Sequence, residues 1–231
     1  GGTSDPGLLD FVTALGEKET DEEVAKAVDE VLPLLTGNQQ IAQFGAIGEI
    51  GRVIQARTEG QRGMSSSADG EKRLAEDQYV WVQAFGSMAD QDDHKSVGGF
   101  DADTKGMAIG IDTLVTSKDR IGVSFVYGQT DVDSNDKLNK ADVDTYSLIG
   151  YGSHALDDKT QVSYQAGYGI HKTDGKRYIP LMSTKASSDI DSQSINAAVS
   201  LLRNTPISDS TTFTPSFFSQ YTWIGNDSYK E

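Results

Sequence analysis

Hydrophobic and polar residues alternate with a period of two from about Tyr79 onward. Seven such runs are separated by connections that are alternately long and short. The runs lie near residues 79–88, 106–116, 120–130, 142–154, 160–171, 191–203 and 211–224. The long connections, such as residues 89–105 and 131–141, are rich in aspartate. Strands of about ten residues, with tight turns at one end and extended loops at the other, are typical of bacterial outer-membrane barrels. We therefore predict an all-β, transmembrane antiparallel β-barrel.

The two sides of each run differ in chemistry. In the run near residues 160–171, Tyr164 and Tyr168 alternate with Gln165 and Gly167. The polar sides consist of Gly, Ser, Ala and Gln, not of the Lys and Glu expected on a water-covered sheet, and we predict that they line a pore. The pore-lining candidates are Gly106, Gly110, Asp112, Gly122, Ser124, Gly128, Gln165, Gly167, Ser194 and Asn196. The candidates for the lipid-facing side and its aromatic belt are Trp81, Phe125, Tyr127, Tyr164, Tyr168, Phe217, Tyr221 and Trp223.

The fourth run permits two assignments. Either Val143, Ile149 and Tyr151 face outward or Tyr146 and Leu148 do, because both sets are apolar and fall on opposite faces of a strand. Alternation by itself also fits a soluble antiparallel sheet with one wet face. The length of the runs and the aromatic residues near their ends favour the membrane.

Residues 8–62 follow a helical period instead. Glu23 stands three residues after Thr20, which is the spacing of a capping box. A second helix is predicted over residues 39–57. Its apolar side carries Ile41, Phe44, Ile47, Ile50 and Ile54, and its polar side carries Gln40, Gln43, Arg52, Gln55 and Arg57. Three glycines weaken this helix by about 1 kcal/mol each relative to alanine, so it needs an enclosure. Residues 64–78 are predicted to be a linker with a short charged helix near residues 71–76.

The composition excludes several classes of protein. A net charge of −15 leaves no basic patch that could neutralise phosphates, so nucleic acid is not expected as a partner. No run of about 18 apolar residues is present, which argues against a transmembrane helix. The chain has no cysteine, and its first residues lack the basic and apolar segments of a signal peptide.

No motif in the chain points to catalysis, a cofactor or a metal. The acidic stretch at residues 90–94 lacks the spaced glycine and the distal glutamate of a calcium loop, so we interpret it as a solvated loop. The three histidines are far apart in the sequence. His171 is expected to pair with a loop acid near the barrel rim. A rim site made by Asp131, Asp174 and His171 would suit an outer-membrane barrel enzyme, but nothing in the sequence requires one.

Several short stretches occur in a fixed order along residues 80–231. They include Val80-Trp81-Val82-Gln83-Ala84-Phe85-Gly86-Ser87, Gly99-Phe100-Asp101-Ala102-Asp103-Thr104, Val123-Ser124-Phe125-Val126-Tyr127-Gly128 and Phe213-Thr214-Pro215-Ser216. In this order and spacing they resemble the translocator β-domain of type V autotransporters. The stretch that ends at Arg57 resembles the helical linker that precedes such barrels.

The resemblance implies a twelve-stranded barrel in the bacterial outer membrane, with the linker helix threaded through its pore. It implies secretion and surface anchoring of an N-terminal passenger, and no enzymatic activity. The implied partners are outer-membrane lipid, the passenger, the barrel assembly machinery and periplasmic chaperones, without a cofactor. Residues 1–63 would be the helical segment and pore-threading helix, 64–78 a linker and 79–231 the N-terminal part of the barrel. Arg52 and Arg57 are expected to face inward-pointing acids such as Asp112.

Two features depart from the family pattern. The chain ends at Glu231, so about seven of the twelve strands are present, and we expect the chain to be a fragment. No Asn-Asn pair stands in the linker, so self-cleavage inside the barrel is not supported. Two alternatives stay open: an outer-membrane barrel enzyme with acidic and histidine residues at its rim, and a soluble β-rich binding module.

Overall fold

The computed structural model describes residues 37–59, 69–75, 77–92, 99–179, 184–208 and 211–226, and the single residues 13, 16, 20, 23 and 24. Helix α1 spans Gly37–Glu59. The strands are β1 (Asp69–Ala75), β2 (Gln78–Gln91), β3 (Phe100–Leu114), β4 (Asp119–Ser134), β5 (Asn139–Ala155), β6 (Thr160–Ile179), β7 (Thr184–Arg203), β8 (Thr205–Ser208), β9 (Thr211–Phe213) and β10 (Ser216–Asn226). No helix in the part of the chain described here is long and apolar enough to cross a membrane.

Eight of these strands form one antiparallel sheet in the order β1-β2-β3-β4-β5-β6-β7-β10, and β8 pairs with β9 in a small hairpin. Strands β1 and β10 are the two edges, so the sheet is not closed within the described residues. The mostly antiparallel β architecture agrees with the predicted fold class. The strands are longer than predicted: β6 and β7 have 20 residues each and pair as far as Ile179 opposite Thr184. Much of the predicted long connection is therefore strand, because backbone pairing continues beyond the apolar band.

Two predicted elements were wrong in detail. The short charged helix near residues 71–76, within the predicted linker, is strand β1, whose Glu71 lies opposite Trp81 and whose Arg73 lies opposite Tyr79. The edge of β2 offers a row of backbone N–H and C=O groups, and pairing with it outweighs the helical preference of this short segment. The seventh predicted run is divided among β9 and β10, with Pro215 between them.

The two faces of the sheet are distinct. Along β7, buried and exposed residues alternate, with Ile195 and Val199 about half exposed and Asn196 and Ser200 buried. The ambiguity in β5 is resolved in the same way. Tyr146 and Leu148 are exposed, whereas Val143, Ile149 and Tyr151 are buried. The outer face is therefore apolar and the buried face is mixed, which is the reverse of a soluble one-sided sheet.

Helix α1 packs on the buried face of the sheet. Its Ile50, Val53 and Ile54 join a cluster of buried wall residues, namely Trp81, Phe85, Ala108, Val126, Ile149 and Tyr151. Ile47 is also buried, but Phe44 is 46% exposed, so the predicted apolar side is only partly covered. The sheet supplies the enclosure that this glycine-containing helix requires.

The capping box predicted at the start of the first helix is present. The Thr20 amide donates to Glu23 Oε2 at 3.3 Å, and the Glu23 amide donates to Thr20 Oγ1 at 3.2 Å. Beyond Val24, that predicted helix lies outside the described residues.

Candidate functional site

Polar contacts fix the direction of α1 across the sheet. At the end of the sheet with the long connections, Gln43 Nε2 donates to Thr173 Oγ1 at 3.2 Å. At the opposite end, with the short turns, Gln161 Nε2 donates to the Thr58 carbonyl at 2.8 Å. The helix thus begins near the long connections and ends near the short turns. It lies on the face that a closed sheet would enclose.

A buried ion-pair network joins the last turn of α1 to the wall. Arg57 donates to Asp112 through Nε at 2.7 Å and through Nη2 at 3.0 Å. Arg120 of the wall donates to the same carboxylate at 3.1 Å. The Asp112 side chain is fully buried, and that of Arg57 is 12% exposed. Burial separates this carboxylate from solvent, which would otherwise stabilise its charge. Two guanidinium groups compensate that loss, because their charge-assisted hydrogen bonds are stronger than those of a neutral donor.

Two aromatic residues of the wall complete this network. Tyr151 donates its hydroxyl hydrogen to Asp112 at 2.9 Å, and Trp81 Nε1 donates to the Tyr151 oxygen at 2.6 Å. The Arg57 guanidinium lies over the Trp81 ring at 5.7 Å from its centroid. On the wall side, Arg120 lies over the Tyr79 ring at 5.6 Å. We call Trp81, Asp112, Arg120 and Tyr151 the wall cluster.

The assignment of Trp81 to the lipid-facing side was wrong. Trp81 is 3% exposed and faces α1, because Trp81, Gln83 and Phe85 share the buried face of β2 while Val80, Val82 and Ala84 share the other. Both sets are apolar enough to face lipid, so sequence alternation does not separate them. Gln83 on the side of Trp81 was the signal that indicated the correct face. From the sequence, Tyr151 was a candidate for either face of its strand, and Arg120 had no predicted role.

The pore-lining candidates lie on one face of the sheet, the face that carries α1. Those with side chains are buried, namely Asp112, Ser124, Gln165, Ser194 and Asn196. The others, which share that face by strand alternation, are Gly106, Gly110, Gly122, Gly128 and Gly167. Gln165 Nε2 donates to the Gly51 carbonyl of α1 at 3.2 Å, so the wall contacts the helix at this level as well.

The wall glycines make room for aromatic side chains of neighbouring strands. A Cβ on Gly110 would stand 2.6 Å from the Trp81 ring, and one on Gly122 would stand 2.5 Å from the Tyr151 ring. The space that Gly110 and Gly122 leave is filled by these rings, which lie between the wall and the helix.

The predicted polar side of the helix divides into two groups. Gln43 and Arg57 contact the wall, whereas Gln55 donates to Glu59 of the helix at 2.9 Å. Arg52, expected to face an acid of the wall, has a side chain 73% exposed and pairs with Glu49 one turn away at 3.3 Å. That expectation was wrong for Arg52 because its position on the helix turns it away from the sheet.

Seven of the eight lipid-facing candidates are exposed on the outer face, namely Phe125, Tyr127, Tyr164, Tyr168, Phe217, Tyr221 and Trp223. The border of this apolar band is marked by hydrogen bonds from tyrosine to polar neighbours. Tyr127 donates to Asp144 at 2.8 Å, and Tyr168 donates to Gln193 at 2.8 Å. Hydroxyls at the edge of an apolar band are typical of the interfacial belt of membrane proteins.

The residues of the hypothetical rim site do not come together. His171 is fully buried between Thr145 Oγ1 at 2.9 Å and Ser194 Oγ at 2.8 Å, so its expected loop acid is absent from these contacts. Asp131 and Asp174 lie on the outer face of the sheet, opposite to His171. Within the described ranges, no group of three or more His, Asp or Glu residues could hold a metal ion. Residues 93–98 of the acidic stretch lie outside those ranges.

The turn that joins β3 and β4 carries a small electrostatic network at the end with the short turns. His154 Nδ1 lies 2.6 Å from Asp119 Oδ1. The pKa of Asp119 lies below its ordinary value, first because Thr116 donates a hydrogen bond to the carboxylate and then because of His154. The network ties the ends of three strands together.

Comparison with known proteins assigns this architecture. The sequence model of the family described as "Autotransporter beta-domain" matches residues 80–231, which begins inside β2 and runs to the last residue. Outer membrane protein B of Rickettsia prowazekii (strain Madrid E) is 28% identical over 170 residues, 72% of this chain and 10% of that protein. Outer membrane protein B of Rickettsia rickettsii is 33% identical over 79 residues, 33% of this chain and 5% of that protein. The chain thus spans a tenth or less of the length of these curated relatives.

Among solved structures, the translocator domain of autotransporter NalP from Neisseria meningitidis is similar, with a TM-score of 0.58 and 16% sequence identity. The match covers 83% of this chain and 60% of that one. At this identity the likeness concerns the fold. The family match extends over more than half of the chain and includes the whole wall cluster. The chain therefore belongs to the autotransporter β-domain family, the translocators of the bacterial outer membrane.

Proposed function

We propose that this chain forms the wall and the resting plug of a translocator that carries a passenger to the cell surface and anchors it there. The observation that carries the proposal is the course of α1 along the buried face, from Gln43 near the long connections to Arg57 near the short turns. In bacterial barrels the short turns face the periplasm and the long loops face outward. The start of α1 then lies at the outer surface, and a passenger that precedes α1 lies outside the cell.

The buried ion pair supports anchoring. Removing one member of a buried pair leaves an uncompensated charge at a cost of about 3–5 kcal/mol, so withdrawal of α1 from the wall is strongly opposed. The helix also buries Ile47, Ile50 and Ile54 against the wall. A plug held by both contacts would connect the passenger to the membrane after transport.

The proposal includes the assembly machinery of the outer membrane and periplasmic chaperones as partners. Support comes from the outer face, where the apolar side chains would be exposed to water during transit through the periplasm. Long strands with unpaired edges are also prone to association with other chains. Both features call for chaperoned delivery and for catalysed insertion.

The proposal assigns no catalysis to this chain. The side chains that the rim hypothesis required lie on opposite faces of β6, as His171 and Asp174 show. The charged groups of the wall cluster are already engaged with one another and with Arg57. Their arrangement suits a structural contact.

The test is the topology of α1 in intact cells. An epitope that contains a protease cleavage site, inserted directly before Gly37, should be cut by protease added to intact cells. A matched epitope at Ser117-Lys118, in the short turn after β3, should be cut only after the outer membrane is permeabilised. Protection of the first epitope, or cleavage of the second in intact cells, would contradict the proposed orientation.

A further inference from the structure

The contacts of Arg57 with the wall share a feature that a simple ion pair lacks. Every other group of the network belongs to the sheet: Trp81 to β2, Asp112 to β3, Arg120 to β4 and Tyr151 to β5. Arg120 and Tyr151 both bind Asp112 independently of the helix. The carboxylate is thus held in place by the wall, and α1 contributes only the guanidinium.

The geometry of this site matches a guanidinium group and not merely a positive charge. Two separate nitrogens of Arg57 donate to the two oxygens of Asp112, at 2.7 and 3.0 Å. The planar group also lies over the Trp81 ring. An ammonium group can donate to a carboxylate, but it does not form the fork of parallel hydrogen bonds or stack its plane on an aromatic ring.

Two glycines of the wall build the site. Gly110 lies directly opposite Trp81, and Gly122 lies directly opposite both Asp112 and Tyr151. A Cβ at either position would overlap the neighbouring ring. The absent side chains let the two rings extend over β3 and β4 until the indole N–H meets the tyrosine hydroxyl.

We infer that the wall cluster is a preformed guanidinium receptor that fixes the resting register of α1. The chain passes the receptor during transport and stops where Arg57 enters it. Arg52, five residues earlier, pairs with Glu49 on the exposed side of the helix and leaves the receptor to Arg57. The register role rests on the proposed function, whereas binding of a guanidinium group by the wall does not.

The first experiment is chemical rescue in detergent micelles. Arg57→Ala is made in a Trp223→Phe background, which leaves Trp81 as the single tryptophan because the chain has two. Methylguanidinium is expected to restore the Trp81 emission and the thermal midpoint in a saturable manner. Methylammonium at equal ionic strength should be at least about tenfold less effective, since it forfeits one charge-assisted hydrogen bond. In Arg57→Ala combined with Asp112→Asn the rescue should disappear.

Three outcomes would overturn the proposal that the wall cluster is a guanidinium receptor. They are equal rescue by both cations, rescue that survives Asp112→Asn, and no rescue by methylguanidinium. Should Arg57→Ala fold poorly, the comparison is made on the folding yield with each cation present, and the same outcomes decide. Arg57→Lys provides a second variant that keeps the charge. Its thermal midpoint should resemble that of Arg57→Ala more than that of the parent protein, and a parent-like midpoint would contradict guanidinium selectivity.

The second experiment measures the register. Because the chain has no native cysteine, Gln43→Cys and Thr173→Cys form an isolated pair for a short thiol cross-linker. The parent helix should be cross-linked efficiently and the Arg57→Ala helix poorly. Free methylguanidinium should not restore the yield, because it fills the receptor without holding the helix. An unchanged yield in Arg57→Ala would overturn the register role. The epitope assay on the parent protein reports the proposed function separately.

Discussion

Tyr151 donates a 2.9 Å hydrogen bond to Asp112, although β4 lies between the strands to which the two residues belong. The residue of β4 that stands between them is Gly122, which is opposite both. A side chain at this position would occupy the path of the tyrosine ring. The hydrogen bond therefore depends on a residue that takes no part in it.

We expect Gly122→Ala to separate Tyr151 from Asp112. The added Cβ would stand 2.5 Å from the ring and 2.6 Å from the Asp112 Cβ, so the wall must shift. Overpacking of this kind costs about 1–3 kcal/mol. Thermal unfolding in micelles measures the loss. Gly128→Ala is the matched control, since a Cβ there lies 3.6 Å from its nearest neighbour and on the same buried face. Equal tolerance of both substitutions would contradict the proposed role of Gly122.

Tyr151→Phe should destabilise the protein by about 1–3 kcal/mol, because it leaves the buried Trp81 N–H without its acceptor and removes one donor from Asp112. In the Trp223→Phe background, the emission of Trp81 should also change on Tyr151→Phe. Tyr146→Phe on the same strand is the control, since Tyr146 faces outward and is 39% exposed. A loss in Tyr146→Phe as large as that in Tyr151→Phe would indicate that the effect is not specific to the wall cluster.

Val199→Asp and Tyr168→Asp should block assembly into the membrane. Both residues are nearly half exposed on the apolar outer face. A lysine or arginine near the bilayer midplane costs about 2–4 kcal/mol, aspartate costs less, and the cost falls toward the border of the band, so Tyr168→Asp should have the smaller effect of the two. The fraction that migrates as a heat-modifiable folded band measures assembly. Ser187→Asp, also exposed on β7 but near the long connections, should assemble normally. Normal assembly of Val199→Asp and Tyr168→Asp would refute the assigned lipid face.

Stability should also depend on pH through the part of β6 that lies near the long connections, beyond the apolar band. The pKa of Asp174 is raised, first because of a hydrogen bond with Asp189, which lies directly opposite on β7, and further because of burial and of Asp142 and Asp144 on β5. A carboxyl whose pKa is raised on folding stabilises the protein below its unfolded pKa of about 3.9. This contribution is lost as the pH rises through the folded value.

Asp174→Asn should therefore raise the thermal midpoint at pH 7.5, about three and a half units above the unfolded pKa, and change it little near that pKa. Asp157→Asn is a control for which we expect the opposite change in the thermal midpoint. The pKa of Asp157 is lowered, first because the Lys159 amide donates to its carboxylate, so this substitution should lower the midpoint at neutral pH. A fall in the midpoint of Asp174→Asn at neutral pH would show that the carboxyl pair is not repulsive.

Sequence patterns predicted those parts of the structure that depend on one strand or one helix at a time. Alternation identified the barrel strands, and the chemistry of the polar sides placed Ser124, Gln165 and Asn196 on the face that proved to be buried. The contact between Arg57 and Asp112 was also expected, because the family resemblance implied a helix along the polar face that carries this acid.

Other features were decided by the tertiary structure, for physical reasons. Both sides of β2 and of β5 carry apolar residues, and apart from Gln83 beside Trp81 the sequence did not separate them. Pairing with neighbouring strands decided that Trp81 and Tyr151 face inward. Strand β1 exists because the edge of β2 offers hydrogen bonds that a short charged segment takes up. The role of Gly122 depends on three strands in register, and no single strand contains that information. The sequence thus determined α1 and most of the strands, whereas pairing at the edge of the sheet formed β1 and cross-strand register determined which side chains meet.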